Sequence, residues 1–366
     1  MRSVTVKDIA QLAEVSIATV SRALNNHDNI NEDVRQRVLQ IATELGYVKV
    51  PRRGIAMRHA EQQLKKIGFF FCDDYSDSNK SRLDFFWAQI LYGAEIEARK
   101  ANIQLLYQGI LDQSSYQWQT QIREMQANGI LLVGPSSAET IRAIQETAIP
   151  LVLIDNYIAG VNLKVDAVLS DNYEGSRQIV QYLLSQGHRH IAYIGASRNS
   201  RTQRPIYTFE WRKKGYCAAL TEAGIPLDED LIQECDIFQP EAIAELCRRL
   251  MALQKPISAI FCANDPMAIK AIKALHVCGL KVPDDISVVG FDDVEMAGHI
   301  IPSLTTVHVH KEAMGASAVK ALITRAADPQ AIHTTHTLSV DLVIRDSVRP
   351  WSDTKGLQLP VTSVNG

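Results

Sequence analysis

The chain is expected to fold as a small α-helical helix-turn-helix head followed by an α/β body of two doubly wound parallel-sheet subdomains. Three observations carry this expectation. The first 46 residues hold three short helical patterns that share apolar positions. Residues 66–345 alternate short apolar runs with helical periodicities, the order of parallel strands covered on both faces by helices. Charge divides at the same place: residues 1–66 carry 11 Lys and Arg against 7 Asp and Glu, a net +4, and the remainder 27 against 34, a net −7. The formal total of −3 conceals a basic head on an acidic body, the asymmetry of a polyanion-binding module carried on a separate domain. A solvated basic surface has the same charge, so motifs must decide.

At 366 residues, 46% apolar and 22% charged, the chain is long enough for two or three domains with real cores, and it is neither disordered nor fibrous in composition. Its six cysteines, Cys72, Cys217, Cys235, Cys247, Cys262 and Cys278, form no CxxC pair; five sit in apolar surroundings, as expected of buried thiols in a reducing, cytosolic compartment. The start, MRSVTVKDIA, has no apolar signal core, and no apolar run approaches the roughly 20 residues of a membrane span.

In the head, Thr5 followed by Asp8 resembles a capping box, and Val6, Ile9, Ala10 and Ala13 repeat at helical spacing. Glu14 and Val15 leave room only for a tight turn. Ser16 is a good N-cap for a second helix to about Leu24. Asn31 caps a third, with Val34, Val38, Ile41, Ala42 and Leu45 on one stripe and Gly46 at its end. Helix two would enter a major groove by its N-terminal end, where free N–H groups favour phosphate. Thr19, Ser21 and Arg22 are then candidates for phosphate or base edges, and Ile17 and Ala18 for a thymine methyl. Thr5, Ser16, Asn25 and Asn31, at or beside helix ends, complete the candidate DNA-facing set. A small helical protein-interaction domain is the alternative.

Residues 47–65 carry Pro51, Gly54 and several Lys and Arg, and read as a basic hinge. Arg52 or Arg53 could lie near a minor-groove backbone with Ile55 or Met57 as an apolar wedge; a solvated tether is the plainer reading.

The body opens with IGFFF (67–71), IQLLY (103–107), GILLVG (129–134) and LVLID, separated by helical patterns around 84–100, 115–127 and 138–147. A second series is expected from AVLSD (167–171) through IAYIG, AIFCAN and ISVVGF, with helices around 174–186, 208–223, 240–253 and 266–278. LTTVHV (304–309), a helix around 311–325 and TLSVDLVI (337–344) would cross back as a hinge. The subdomains are accordingly placed at about 66–162 with 294–324, and about 163–293 with 325–345. Residues 346–366 are polar and aperiodic, as in a poorly ordered tail.

Ligands of open α/β sheets bind beyond the carboxyl ends of strands, so two facing units make a cleft. Asp155, Asn156, Asp171, Asn264, Asp265, Asp292 and Asp293 cluster at such ends. Arg212 could reach the cleft, with Tyr207, Trp211, Phe85 or Trp87 as flat apolar faces. Carboxylates, an amide and a guanidinium beside aromatics suit a neutral polyol such as a sugar better than a phosphorylated ligand. Asp171 and Asp265 could equally be plain N-caps. His308 and His310 could share a strand face, but no third ligand has convincing spacing, so no metal is expected. DDYSDSNKS (73–81) lacks the Gly and Glu of a calcium loop and reads as an exposed loop bordering the cleft. GxGxxG after a strand, GxxxxGK[ST] and GxSxG are all absent, so neither a nucleotide cofactor nor a serine hydrolase has support, and no cofactor is expected.

With these residues in view, the chain resembles the lac repressor and galactose repressor family of bacterial transcription regulators over about residues 4–345. The head carries VTVKDIAQLAEVSIATVSRALNN and VRQRVLQIATELGY. The body carries SDNYEGSRQIVQYLLSQGHRHIAYIG, FCANDPMAIKAIKALHVCGLKVPDDISVVGFDD and LTTVHVHKEAMGASAVKALI. Within the family it looks most like regulators of β-galactoside or related oligosaccharide use. The resemblance implies a homodimer on a palindromic operator and a periplasmic-binding-protein-like core with an effector in its cleft. It implies that Ile17 and Ala18 read bases, that Thr19, Ser21 and Arg22 mostly contact backbone, and that Arg212, Asn264 and Asp292 hold effector hydroxyls, with Asp155 adding a contact.

Two departures matter. The usual Ala-Arg-x-Leu hinge is replaced by Arg52, Arg53, Gly54 and Ile55, and the Gly lowers helix propensity. Lys270 stands where the family usually has Gly, either at the cleft rim or facing solvent. The expected function is repression relieved by a sugar inducer. The alternatives are a regulator whose ligand strengthens DNA binding and, from another class, an α/β enzyme with a DNA-binding head, for which no nucleophile–base pairing is seen.

Overall fold

A computed structural model of the chain describes residues 6–24, 31–45, 64–72, 85–110, 115–157, 163–196, 206–235, 241–253 and 255–351. The chain forms two units, Met1–Arg58 and His59–Gly366.

The first unit contains α1 (Val6–Leu12), α2 (Ile17–Leu24) and α3 (Glu32–Glu44). Glu14 takes φ 54, which turns the chain sharply between α1 and α2. Ile9, Ala10, Ala13, Val20, Ala23, Val38 and Ala42 are buried together, with Val15, Val34, Ile41 and Leu45 packed against them. Four alanines among seven core residues let three short helices approach closely enough to exclude water from so small a core.

The second unit begins with β1 (Lys66–Cys72), α4 (Phe85–Lys100), β2 (Gln104–Ile110), α5 (Ser115–Met125), β3 (Gly129–Val133), α6 (Ala138–Gln145) and β4 (Leu151–Ile154). It continues through β5 (Asp166–Ser170), α7 (Asn172–Ser185), β6 (Ile191–Gly195), α8 (Tyr207–Glu222), a 3-10 turn Glu229–Leu231 and β7 (Ile232–Glu234). Then follow α9 (Ala242–Ala252), β8 (Ala259–Cys262), α10 (Asp265–Val277), β9 (Ser287–Val289) and α11 (Glu295–His299). The last elements are β10 (Thr306–Val309), α12 (Lys311–Ala327), β11 (Thr335–Leu338) and β12 (Val340–Val343).

Two parallel sheets result. The first has the order β11-β5-β4-β3-β1-β2 and the second β7-β6-β8-β9, while β10 and β12 form an antiparallel ribbon. Strand β1 shows why both faces of the first sheet are covered. Phe69 and Phe71 pack with Phe86 and Ile90 of α4, whereas Phe70 and Cys72 pack with Trp118 and Ile122 of α5 and with Ile141 and Ile144 of α6. Successive side chains point to opposite faces, so a continuous apolar run needs a helix layer on each side.

The structure corrects four expectations. Residues 166–170 and 335–338, assigned from sequence to the second subdomain, belong to the first sheet: β5 pairs with β4, and β11 with β5. No helical pattern separates β4 from β5, so the sequence reads as a break where the sheet is continuous. TLSVDLVI is two strands in two sheets, split at Ser339. Residues 346–351 are docked rather than a loose tail: Ser347 is buried, its hydroxyl donates to the Val288 carbonyl at 2.6 Å, and the Trp351 ring stacks on His188. Burial also drives the His188 imidazole down to about 4, so it is neutral as it bonds to Ser258 and to the Arg349 carbonyl. Residues 352–366 lie outside the described residues. Finally, Cys72, Cys247 and Cys262 are buried, but Cys217 and Cys235 are only half-buried.

Candidate functional site

In the head, Ser16 Oγ accepts the Thr19 N–H at 3.0 Å and so caps α2, while Asn31 Oδ1 accepts the Asp33 N–H at 2.8 Å at the start of α3. Both residues have a structural task at a helix start. Ile17, the first residue of α2, is 53% exposed, which is unusual for an isoleucine not packed on a partner. Thr19 is half-buried. The side chains of Ala18, Ser21 and Arg22, and all of Thr5, Asn25, Arg52, Arg53 and Ile55, lie outside the described residues.

In the body, the ends of β4, β8 and β9 bring together the polar residues expected there. Arg212, on α8, is only 2% exposed. Its Nε donates to Asn172 Oδ1 at 2.7 Å, its Nη1 to the Ala263 carbonyl at 2.7 Å, and its Nη2 to Asp292 Oδ1 at 2.8 Å. The guanidinium lies over the Phe291 ring at 3.8 Å, so its plane and its fork are both fixed. Asp292 has φ 108 and Asp155 φ 52, left-handed conformations that L-residues adopt only where the surroundings hold them. Burial raises the Asp292 carboxyl, and Arg212 opposes that.

Asp155 is the least satisfied member. It is 8% exposed, and its Oδ1 is buried with no hydrogen-bond partner. Burial pushes its carboxyl up to about 6, with Arg212 pulling it down and Asp292 pushing it further up. Next to it, Asn156 Nδ2 donates to Ser136 Oγ, both buried. An acceptor buried without a donor suits a ligand that brings its own O–H or N–H. An aromatic row flanks this group: Tyr157 and Tyr207 have ring centroids 5.2 Å apart, Tyr207 and Trp211 5.8 Å, and Tyr173 and Trp211 6.1 Å. Burial, and then the neighbouring Asp155, raise the Tyr207 hydroxyl to about 12, so it stays a neutral donor.

The other expected residues fall elsewhere. Asn264 Oδ1 caps α10, accepting the Met267 N–H at 2.9 Å. Asp171 caps α7 through the Glu174 N–H at 3.0 Å. Asp265 is not a cap: it is buried, bonded by Thr306 and by the Val294 N–H, and burial together with Asp292 pushes it up to about 8. Phe85 is 70% exposed at the surface, and Trp87 packs on Phe71 and Phe86, so neither shares the aromatic row. Lys270 faces solvent. His308 and His310 each take a separate carboxylate, Asp293 at 2.8 Å and Asp341 at 2.9 Å. Among the described residues no three His, Cys, Asp or Glu side chains converge as metal ligands, and no helix is long and apolar enough to cross a membrane. Sequence reasoning missed Asn172, Tyr157 and Lys311. Asn172 is the last residue of the strand-end motif SDN, and Tyr157 directly follows the motif IDN, so both were within reach of the same rule that found their neighbours.

Comparison with known proteins gives a consistent answer. Residues 5–49 match the bacterial regulatory proteins, lacI family, and residues 180–348 match a periplasmic binding protein-like domain. The chain is 34% identical over 349 residues to the probable HTH-type transcriptional repressor ExuR of Bacillus subtilis (strain 168), covering 94% of this chain and 98% of that protein. It is 28% identical to the HTH-type transcriptional repressor PurR of Mannheimia succiniciproducens, covering 94% and 98%. Among solved structures it is similar to a transcriptional regulator CelR–cellobiose complex, with 26% identity, a TM-score of 0.68, and 94% and 99% of the two chains covered. The three-helix head, the two-sheet body with its polar cluster at the strand ends, and likeness over nearly the whole length of named repressors agree: the chain belongs to the lacI family of bacterial DNA-binding regulatory proteins, with a helix-turn-helix head and a periplasmic-binding-protein-like effector body.

Proposed function

We propose that this chain is the homodimeric repressor of a sugar-utilisation operon, released from a palindromic operator when a small sugar of galactoside type enters the cleft between the two sheets. The observation that carries the reading is the buried, unpartnered Asp155 Oδ1 beside Arg212 and Asp292. Such a floor asks for a ligand with several hydroxyls, and the row Tyr157, Tyr207, Trp211 offers faces for its C–H side. Arg212 and Asp292 hold hydroxyls, Asp155 accepts one, and Asn264, whose Oδ1 caps α10, adds a contact through its amide nitrogen. The cellobiose complex of the transcriptional regulator CelR, to which the chain is similar, points the same way.

On DNA, Ile17 and Ala18 read base edges, Thr19, Ser21 and Arg22 contact backbone, and the segment of Arg52, Arg53 and Ile55 enters the minor groove. The effector acts by population shift, requiring a few kcal/mol of differential affinity between two states. The test is titration of D-galactose, lactose, cellobiose and D-ribose against the operator complex at fixed salt. Release by one of them is expected. Tightening by a ligand makes the protein a corepressor-dependent regulator instead, and no response to any sugar sinks the reading.

A further inference from the structure

Lys311 stands where neither its helix nor the solvent favours it. It is the first residue of α12, the positive end of the helix dipole, and it is 1% exposed. Both facts disfavour an ammonium there, and burial lowers its pKa accordingly. What offsets them is a set of contacts reaching across the two sheets. Nζ donates to the Asp292 carbonyl at 2.6 Å and to the Asp293 carbonyl at 3.1 Å, and lies 5.8 Å from the centroid of Phe86 on α4.

The segment it grips is the one that carries the cleft floor. Asp292 and Asp293 have φ 108 and 51. The Asp292 side chain holds Arg212, and the Asp293 side chain holds His308 and Arg345. On the other side, α12 and α4 touch backbone to backbone: a Cβ at Gly93 would collide with the main chain of Glu312, and one at Gly315 with the carbonyl of Ile90. Helices packed this closely move together or not at all. Beside the backbone bond from the Asp292 N–H to the Val307 carbonyl at 2.9 Å, this ammonium adds a side-chain link from a strained loop of the second sheet to a rigid helix pair of the first.

We propose that Lys311 is a positioning residue that ties the Arg212–Asp292 end of the cleft to the α4–α12 pair, so that a change at the cleft floor is passed to those helices. Its use in effector response rests on the function proposed above; the physical link does not. Without it a ligand would still find Asp155 and Arg212, but a change at Arg212 and Asp292 would lose this route to α4 and α12.

The test is amide hydrogen exchange on the full chain, which needs neither effector nor operator, in wild type, Arg212→Met, Lys311→Met and the double variant. Arg212→Met is expected to speed exchange at least fivefold in α4 and in the first half of α12, and less than twofold further when Lys311 is already Met. A Lys311 that merely supports local structure would loosen its surroundings yet leave the Arg212→Met effect intact. Full additivity, or an Arg212→Met effect confined to α8 and Asp292, overturns the proposal. If Lys311→Met does not fold, Lys311→Gln takes its place in the cycle with the same thresholds. Should no sugar alter operator binding, the functional reading fails while this measurement still decides the link.

Discussion

Two arginines in the body are buried against aspartates, and they differ in what is left over. Arg325 meets Asp166 bidentately, Nε to Oδ2 at 2.6 Å and Nη2 to Oδ1 at 3.0 Å, and sends its remaining donors to the carbonyls of Ala331 at 2.7 Å and Ile332 at 3.1 Å. Asp166 also accepts the Thr334 N–H at 2.8 Å. Burial alone would raise that carboxyl, but the Arg325 and Thr334 hydrogen bonds outweigh it and hold it below its ordinary range. This pair is closed, and it fastens α12 and the approach to β11 onto β5. Around Arg212 the carboxylates are pushed the other way, Asp292 and Asp155 both upward, and Asp155 keeps an oxygen with no donor. A closed knot contributes to folding; an open one of similar composition keeps part of its hydrogen-bonding capacity for a ligand.

The same substitution at both aspartates separates the two sites most strongly. Asp166→Asn strands the buried Arg325 charge and is expected to cost about 3–5 kcal/mol in urea unfolding at pH 7. A loss below about 1 kcal/mol would mean the knot is not what holds α12. Arg212→Met is expected next, with effector affinity falling about 100-fold in calorimetry, some 2.7 kcal/mol; unchanged affinity would remove Arg212 from the site.

Asp155→Asn should behave opposite to Asp166→Asn. Asp155 titrates near 6 in the folded protein against an ordinary value of 3.8. The native state therefore holds its proton when the unfolded chain has lost it, and on this account stability falls as pH rises from about 4 to 6. Asp265, at about 8, extends the decline upward. Above pH 6 Asp155→Asn is expected to match or exceed wild type by up to about 2–3 kcal/mol, and to flatten the pH 4–6 part of the profile while the effector response is lost. Destabilisation at pH 7 would show that Asp155 is paired after all. The smallest effect expected is in the head: Ser16→Ala removes the α2 cap and should cost about 1 kcal/mol in thermal unfolding.

Much of this could be read from residue order. The three head helices, the stripe from Val34 to Leu45, and the alternation of strands and helices follow from local periodicity, which neighbours in sequence specify. The strand-end rule found Asp155, Asp292 and, with the family motif, Arg212. It could not tell Asp171 and Asn264, which cap helices, from Asp155, which does not, because all three are polar residues at strand ends. Phe85 offers a flat aromatic face, yet it faces solvent, since aromatic character carries no direction.

Periods of a few residues are enough to mark which segments are helices and strands and which polar groups stand at strand ends. It takes the folded chain to make β5 and β11 complete the first sheet, to bring Lys311 to the Asp292 carbonyl, and to satisfy Asp166 while leaving Asp155 open. Hydrogen bonds and burial across 14 to 168 positions of chain set those outcomes, and no local pattern encodes them.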